Sequence, residues 1–352
     1  MRRLILFGTL AALLLGCGPS EVPKTSISSD STQVQEVAPQ PLPLAPPLER
    51  PDIEISGLTW YGDTLVVLPQ YPSRASGPHA RQLYGLSRSA LRAAVTDSSA
   101  APLDPIPIPL ETQNPHAHAA DYEGCEAIAF DGRRVFLLLE GSAEGRGMVG
   151  HLLRGRAAPN LRRIRMGGTD EQRLPQQARL PNMSYESLVI RGDTVITIFE
   201  ANGARVNASP RAYQFDPVLR RLGGVPFPTL EYRVTDATAL APNGRFWVLN
   251  YFYPGDRETL HPAPDSLALR YGQGATHRAS DVVERLVQYR YTAQGIRRTS
   301  RAPIWFELGD GTGRNWEGLV RFRDGFLVAT DRFPRTILAY VPAASPQRGT
   351  VP

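Results

Sequence analysis

The sequence predicts an all-β fold of the β-propeller class, and three observations lead to this prediction. One phrase occurs five times: an apolar run, a turn that contains glycine, and a second apolar run. Further strand-like runs follow most copies, which is the pattern of four-stranded meanders. Helical periodicity is confined to a short turn near Ser87 to Ala94. We expect five blades, with six as the alternative.

The first residues have the pattern of a secretory leader. Arg2 and Arg3 precede an apolar stretch, Leu4 to Leu15, that is too short to span a bilayer as a mature helix. The order Leu-Leu-Gly before Cys17 fits a lipobox, whose cysteine is lipidated before cleavage. We expect residues 1–16 to be removed and Cys17 to anchor the protein in the outer membrane, facing the periplasm. An ordinary signal peptide with a chance cysteine is the alternative.

The chain from residue 17 to 50 is predicted to be a tether. It is rich in Pro, Ser, Gln and Glu and has no periodic apolar pattern, so it cannot bury enough surface to fold. The propeller domain is expected over residues 51–342, and residues 343–352 are expected to form a disordered tail. A strand from around Leu42 to Ile55 should complete the last blade and remove its open edge.

Charge and cysteine content exclude some functions. The formal net charge of +5 falls to +3 without Arg2 and Arg3, which is far from the basic footprint of a nucleic-acid-binding protein. Only two cysteines occur, so Cys125 has no disulfide partner if Cys17 carries lipid. We expect Cys125 to be a small buried hydrophobic residue. A monomer that binds a small, possibly phosphorylated molecule or an envelope protein is the expected assembly.

Each of the five hairpins carries two polar residues fourteen positions apart. The pairs are Ser56 with Gln70, Glu126 with Glu140, Glu186 with Glu200, Asp236 with Asn250, and Glu317 with Asp331. In an antiparallel hairpin, a constant separation places both members of each pair near each other at the open end. Because a propeller gathers these ends around its channel, the sequence predicts two concentric polar rings at one channel mouth.

Crowded carboxylates need a compensating partner, because they repel one another and take up protons. A Ca²⁺ ion suits a ring of oxygen ligands without sulfur. Arginines such as Arg332 or Arg257 could pair with the ring instead, and water or backbone amides could satisfy single carboxylates. These three alternatives stay open on the sequence alone.

Three of the hairpins resemble a known family. The stretches SYESLVIRGDTVITIFEANG, VTDATALAPNGRFWVLNYFYPG and NWEGLVRFRDGFLVATDRF are similar to hairpins of the phytase-like propeller family and of related envelope propellers that bind calcium. The resemblance implies an envelope propeller with a central Ca²⁺ and a phosphoesterase or related esterase activity. Two departures weaken the transfer of chemistry: Ser56 replaces an acid in the first copy, and the fourth copy lacks a frequent Glu-Arg pair.

Two functions from different classes follow. In a hydrolase, a metal held by Glu126, Glu186, Asp236 and Glu317 would polarise an ester or phosphoryl oxygen and activate water. Glu140 or Glu200 would then act as the base. In a non-catalytic scaffold, the ring would only lock the channel, and the mouth would dock a ligand or partner. A loop containing His116 and His118 and a long insertion after the fourth hairpin are further candidate parts of this mouth.

Overall fold

The fold is described from a computed structural model. The structure describes residues 34–74, 81–112, 121–143, 147–309 and 311–343, which belong to a compact unit that begins at Val34. The predicted leader, Cys17 and the loop histidines His116 and His118 lie outside the described residues. No helix among the described residues is long and apolar enough to cross a membrane.

The described residues form 22 β-strands and four α-helices. The first ten strands are β1 (Glu36–Val37), β2 (Gln40–Pro41), β3 (Ile55–Tyr61), β4 (Thr64–Pro69), β5 (Gln82–Ser87), β6 (Ile106–Thr112), β7 (Asp121–Asp131), β8 (Arg134–Ala143), β9 (Gly147–Ala157) and β10 (Ile164–Arg173). The remaining strands are β11 (Tyr185–Arg191), β12 (Thr194–Phe199), β13 (Arg211–Phe215), β14 (Arg221–Pro226), β15 (Arg233–Ala237), β16 (Arg245–Phe252), β17 (Val283–Thr292), β18 (Gly295–Arg298), β19 (Ile304–Phe306), β20 (Trp316–Phe322), β21 (Gly325–Thr330) and β22 (Leu338–Pro342). The helices are α1 (Arg88–Thr96), α2 (Arg257–Leu260), α3 (Ser266–Tyr271) and α4 (Ala275–Arg278).

The strands form antiparallel meanders around a central axis. Strands β3 to β6 and β7 to β10 are two meanders that join through the parallel pair β6 and β10 into one eight-stranded sheet. Strands β11 to β14 form a separate sheet. A third sheet contains β15 to β19 together with β1, and a fourth contains β20 to β22 together with β2. The first strands of the hairpins contact one another in a closed cycle, β3–β7–β11–β15–β20–β3. This cycle is the inner ring of a β-propeller, and the number of blades stays a prediction.

The N-terminal segment closes the ring, as predicted, but it does so ahead of the predicted position. Strand β2 pairs with β22 at Gln40 and Pro41, and the Leu42 amide donates to Leu338 O at 2.8 Å. Strand β1 pairs in parallel with β19 in the neighbouring sheet. The chain is therefore built into the propeller from Glu36 onward, within the segment that composition assigned to the tether.

Strand β1 also contacts the insertion that follows the fourth hairpin. The carboxylate of Glu36 accepts hydrogen bonds from the backbone amides of Thr276 and His277 at 3.0 and 3.1 Å, and it lies 2.7 Å from the His277 imidazole. The insertion is folded, with α2, α3 and α4 following one another. Buried Arg285 reaches Asp265, the residue that caps α3, at 2.6 Å.

The core is made of apolar layers between neighbouring meanders. Leu58 and Tyr84 of the first meander pack in one cluster with Val320 and Tyr340 of the last, across the point where the ring closes. The predicted short turn near Ser87 is helix α1, whose first turn is capped by the Ser87 hydroxyl. Burying the alternating apolar face of each strand is the main stabilising contribution in such a fold.

Candidate functional site

The site is built on an irregularity shared by the inner strands. In each of the five hairpins the register shifts at an equivalent point of the first strand and leaves a residue unpaired in a β-bulge, and β7 has a second shift at Glu123. The bulged residues are Ser56, Glu126, Glu186, Thr235 and Glu317. Four of these five were predicted from the sequence, and the bulge explains why polar side chains interrupt apolar strands at this depth.

The fourth hairpin differs from the predicted register. There the bulged residue is Thr235, whereas Asp236 pairs with Leu249 in the regular ladder. Both Asp236 oxygens accept backbone hydrogen bonds, from Ala237 N at 2.7 Å and from Leu319 N at 2.6 Å. Asp236 therefore links two inner strands and does not join the carboxylates of Glu126, Glu186 and Glu317.

The second ring differs at the same hairpin. The second ring consists of the residues on the second strands that pair with the position two residues before each bulge. These residues are Gln70, Glu140, Glu200, Tyr251 and Asp331. The predicted member Asn250 is buried instead, where its amide donates to Glu231 O and Arg233 O and its oxygen accepts from Arg285 Nε. The fourth hairpin thus contributes a tyrosine to the mouth and no carboxylate.

Six carboxyl groups converge on one arginine at this mouth. They belong to Glu126, Glu140, Glu186, Glu200, Glu317 and Asp331. The arginine is Arg233, at the start of β15, with a side chain that is only 11% exposed. Its guanidinium contacts Glu200 through Nε and lies 3.3 Å from Glu186 Oε1 and 3.6 Å from Glu317 Oε1. We call these seven residues the channel cluster.

Polar neighbours hold parts of the channel cluster in place. The Asn315 amide donates to Glu317 Oε1 at 2.7 Å and to Asp331 Oδ2 at 2.9 Å. Gln70 donates to Glu126. A Cβ at Gly124 would lie 2.5 Å from Gln70 Cγ, so only glycine permits this contact.

The channel cluster has far more negative than positive groups. Five of its buried carboxylate oxygens have no hydrogen-bond donor among the described residues while the carboxyl groups are ionised. These atoms are Glu126 Oε1, Glu140 Oε1, Glu186 Oε2, Glu200 Oε2 and Asp331 Oδ1. Leaving buried charged oxygens unsatisfied is costly, so protons or a further cation must compensate them.

The pKa values show which compensation the protein alone provides. Burial raises the pKa of Glu126 to about 8, and Glu200 and Asp331 add to the rise. Burial and neighbouring carboxylates also hold the pKa values of Glu140, Glu186 and Glu317 well above their ordinary range. Burial acts to lower the pKa of Arg233, but the surrounding carboxylates outweigh it and keep the pKa above its usual value. The carboxyl groups of the cluster therefore hold protons more tightly than exposed carboxyl groups do.

Carboxyl groups with raised pKa values can act as acids. Burial raises the pKa of Glu200, while Arg233 and a hydrogen bond from Glu186 oppose the rise. A proton on Glu186 thus stabilises an ionised Glu200 beside it. Such a pair, in which environment separates two otherwise equal carboxyl groups, can supply both a general acid and a general base.

No three His, Cys, Asp or Glu side chains among the described residues are arranged as ligands of a single metal ion. Arg233 provides the positive charge that the sequence argument sought from Arg332 or Arg257. Neither of those two residues pairs with a cluster carboxylate among the described residues: Arg332 is 3.8 Å from Glu54, and Arg257 pairs with Asp281 at 3.1 Å. Burial raises the pKa of Asp256, at the start of the insertion, and the charge of Arg233 opposes this rise.

Cys125 lies beside the cluster and is buried, as predicted. Its sulfur is 3.2 Å from the Tyr122 hydroxyl, and burial raises its pKa to about 12. A thiol with this pKa is protonated at neutral pH and is therefore a poor nucleophile.

Sequence reasoning missed Arg233 and Asn315. Both occupy the position two residues before the bulge, where the other copies have Glu54, Gly124 and Ser184. In four of the five copies this position carries a polar or charged residue, and that is the signal in the sequence. The fourteen-residue regularity begins at the bulge itself and does not include this position.

Comparisons with known proteins show the fold and no family. No family model matches the chain, and no curated protein matches it. A structure from the GH130 family of mannoside phosphorylases, described as containing glycoside hydrolases that target β-1,2-mannosidic linkages in Candida mannan, has a TM-score of 0.50 and 12% identity. It covers 88% of this chain and 96% of its own.

Two further structures are less similar. A glycosyl hydrolase from Bacteroides ovatus has a TM-score of 0.46, 10% identity, and coverage of 88% and 94% of the two chains. The soluble aldose sugar dehydrogenase from Escherichia coli has a TM-score of 0.42, 11% identity, and coverage of 84% and 97%. At these identities the likeness shows only that this chain has a β-propeller fold.

Proposed function

We propose that this chain is a cell-envelope lipoprotein, anchored through Cys17, whose channel cluster binds Ca²⁺ and hydrolyses a phosphoester or a related ester. One observation carries the proposal: five buried carboxylate oxygens lack a donor in a cluster of six carboxyl groups and one arginine. Hard oxygen atoms with excess negative charge are the ligands that Ca²⁺ prefers.

The donors fit Ca²⁺ chemically, but their side chains must move to share one ion, since the part of the chain that the structure describes has no ready set of three ligands. Glu126, Glu186 and Glu317 are the residues that would hold it. A bound Ca²⁺ would polarise the oxygen of a phosphoryl or ester group. Asp236, assigned to the metal by the predicted register, has both oxygens occupied by backbone amides.

The other residues of the cluster would manage protons and charge. Burial raises the pKa values of Glu140 and Glu200, and at Glu200 the charge of Arg233 and a hydrogen bond from Glu186 oppose the rise. A divalent charge nearby lowers carboxyl pKa values, so loading the site would release protons and convert these groups to bases. Arg233 would neutralise negative charge on a phosphorylated substrate.

The first experiment measures bound metal by elemental mass spectrometry on the chain from Gly18, which retains β1 and β2. We expect near-stoichiometric Ca²⁺ in the unaltered protein and its loss in a Glu126→Gln, Glu186→Gln variant. Asp236→Asn is the control, because it removes a carboxylate outside the cluster. Ca²⁺ that persists in the double variant would sink the assignment of the ligands.

A second measurement tests the proton release. Calorimetric titration with Ca²⁺ in two buffers of different ionisation enthalpy should show protons leaving the protein on binding. A phosphomonoester screen that includes phytate follows from the resemblance to phytase-like propellers, with Glu140→Gln and Glu200→Gln as activity-loss variants.

A non-catalytic scaffold is the second candidate, and the position of Arg233 favours it. Its guanidinium already pairs with Glu186, Glu200 and Glu317, as expected of ion pairs that lock a channel. In this case no metal would be found, no ester would be hydrolysed, and the mouth would bind a small molecule or an envelope partner.

The anchor has its own test. Cells supplied with a labelled fatty acid should incorporate it into the protein, and Cys17→Ser should abolish the label. Fractionation of a Gram-negative host should place the wild-type protein in the outer membrane. Label in the serine variant would contradict lipidation at Cys17.

A further inference from the structure

A groove lined by arginines lies at the opposite end of the second hairpin from the channel cluster. It has a volume of about 590 Å³, within the usual range of small-molecule sites. Its arginines are Arg133, Arg134, Arg154, Arg156, Arg163 and Arg165. Arg134 begins β8, and Glu140 of the channel cluster lies six residues further along that strand, which is about 20 Å at the rise of a β-strand.

The strand register sets three of these arginines side by side. Arg134 of β8 is directly opposite Arg156 of β9, and Arg156 is directly opposite Arg165 of β10. Directly opposed residues of antiparallel strands project to the same face with Cβ atoms about 5 Å apart, and like charges in such positions destabilise a sheet. We call Arg134, Arg156 and Arg165 the arginine row.

A break in the sheet opens the groove beside the arginine row. The pairing of β9 with β10 is interrupted between Met166 and Glu171, so β10 bows away from its neighbour. A Cβ at Gly155 would lie 2.6 Å from Arg165 O, so glycine there allows the two strands to approach just before the break.

Carboxylates neutralise only part of the groove. Glu111 is shared by Arg163 and Arg165, at 3.7 and 2.9 Å. Arg154 lies 2.8 Å from Asp170, and Arg134 pairs with Asp131 and lies 3.2 Å from Asp193.

The remaining two arginines have no carboxylate partner among the described residues. The Arg133 guanidinium donates to Ala157 O at 2.9 Å. Arg156, in the middle of the arginine row, makes no ion pair or side-chain hydrogen bond within the described residues. The groove therefore has unused donors and an excess of positive charge at the position where like charges are most crowded.

We infer that this groove binds a ligand that bears two or more phosphate groups. Guanidinium groups bind phosphate through paired hydrogen bonds, and adjacent strands place the row's arginines at intervals of about 4.8 Å. A row of phosphates would turn the repulsion between Arg134, Arg156 and Arg165 into attraction. The inference rests on no part of the proposed function of the channel cluster.

The test uses tripolyphosphate as the probe, titrated calorimetrically into the chain from Gly18 at low ionic strength. We expect binding that weakens as salt is added, and at least a roughly tenfold loss of affinity in an Arg156→Gln, Arg165→Gln variant. The matched control is Arg297→Gln, Arg323→Gln, which removes two exposed arginines elsewhere and should leave binding unchanged. The groove variant should be at least as stable to heat as the wild type, since it relieves like-charge repulsion.

Two further arms identify the source of the phosphate. Flotation with vesicles that contain cardiolipin, whose headgroup bears two phosphates, is compared with neutral phosphatidylcholine vesicles and shows whether lipid headgroups occupy the groove. Binding to tripolyphosphate alone indicates a soluble ligand. If the protein binds neither tripolyphosphate nor the anionic vesicles, the inference is wrong. An equal loss in the control variant, or an affinity for citrate equal to that for tripolyphosphate, also overturns it.

Discussion

The two charged regions of this propeller use arginine in opposite ways. In the channel cluster one buried arginine, Arg233, lies among six carboxyl groups and pairs with three of them. In the groove six arginines, most of them exposed, share a few carboxylates. Burial decides the difference, because water screens the groove but is excluded from Arg233. The cluster is therefore sensitive to the loss of any one charge, whereas the groove can lose charges without harm to the fold.

The largest expected effect follows from removing the buried arginine. Arg233→Met should destabilise the protein by about 3–5 kcal/mol, because carboxylates that paired with the guanidinium stay buried without a partner. Urea denaturation monitored by tryptophan fluorescence measures the change. If Ca²⁺ binds the cluster, adding it should recover part of the loss.

A control for this variant is Arg257→Met. Arg257 pairs with Asp281 at the surface, where the two side chains are 54% and 73% exposed. Loss of such a pair should cost less than about 1 kcal/mol. Equal effects of the two substitutions would remove the distinction between a buried and a screened arginine.

The second prediction tests the corrected register of the fourth hairpin. Asp236→Asn should cost about 1–3 kcal/mol, because an amide offers only one acceptor oxygen to the Ala237 and Leu319 amides. Ca²⁺ content should remain that of the wild type. Loss of Ca²⁺ as complete as in the Glu126→Gln, Glu186→Gln variant would instead show that Asp236 takes part in binding Ca²⁺ with the inner-ring glutamates.

The third prediction concerns pH. The pKa of Glu126 is raised to about 8 in the folded state, against about 4.3 in the unfolded chain, so the folded state binds more protons between these values. Stability should therefore be highest near the lower value and fall as the pH rises toward 8. Without divalent cations, we expect Tm to drop by roughly 3 °C or more from pH 5 to pH 8.

Glu126→Gln should flatten this dependence, because a glutamine does not titrate. Thermal melts followed by circular dichroism in the presence of a chelator measure both slopes. A drop of the same size in both proteins would show that Glu126 is not part of the linkage.

The smallest expected effect is that of a groove arginine on stability. The side chain of Arg165 is 63% exposed, and that of its partner Glu111 is 42% exposed. Arg165→Gln should change the free energy of unfolding by less than about 0.5 kcal/mol, measured by the same urea titration as Arg233→Met. A loss of several kcal/mol would make the arginine row a structural element.

Much of the fold could be predicted because the hairpin phrase is local. Alternating apolar residues on either side of a glycine turn specify a hairpin without reference to the rest of the chain. An N-terminal closing strand was predicted because the last blade would otherwise have an open edge. Its position was not predicted, because Glu36–Val37 and Gln40–Pro41 are too short to show a pattern.

The site could be predicted only in part. Glu126, Glu186 and Glu317 occupy equivalent positions in their hairpins, as the spacing predicts, because these hairpins share one turn length, while their role as metal ligands stays a prediction. The fourth hairpin pairs Arg233 with Tyr251, so its second-strand position lies sixteen residues after Thr235. The fourteen-residue spacing of Asp236 and Asn250 is therefore coincidental. The arginine row could not be predicted, because it depends on the register across three strands.

The way in which the N-terminal strands close the ring has a mechanical consequence. If Cys17 carries a lipid, any tension between membrane and propeller enters the folded unit at β1 and β2, before it reaches another strand. Glu36 lies at that entry point and holds the amides of Thr276 and His277 in α4. A load on such a tether would therefore act first on the strands that close the ring and on helix α4 of the insertion.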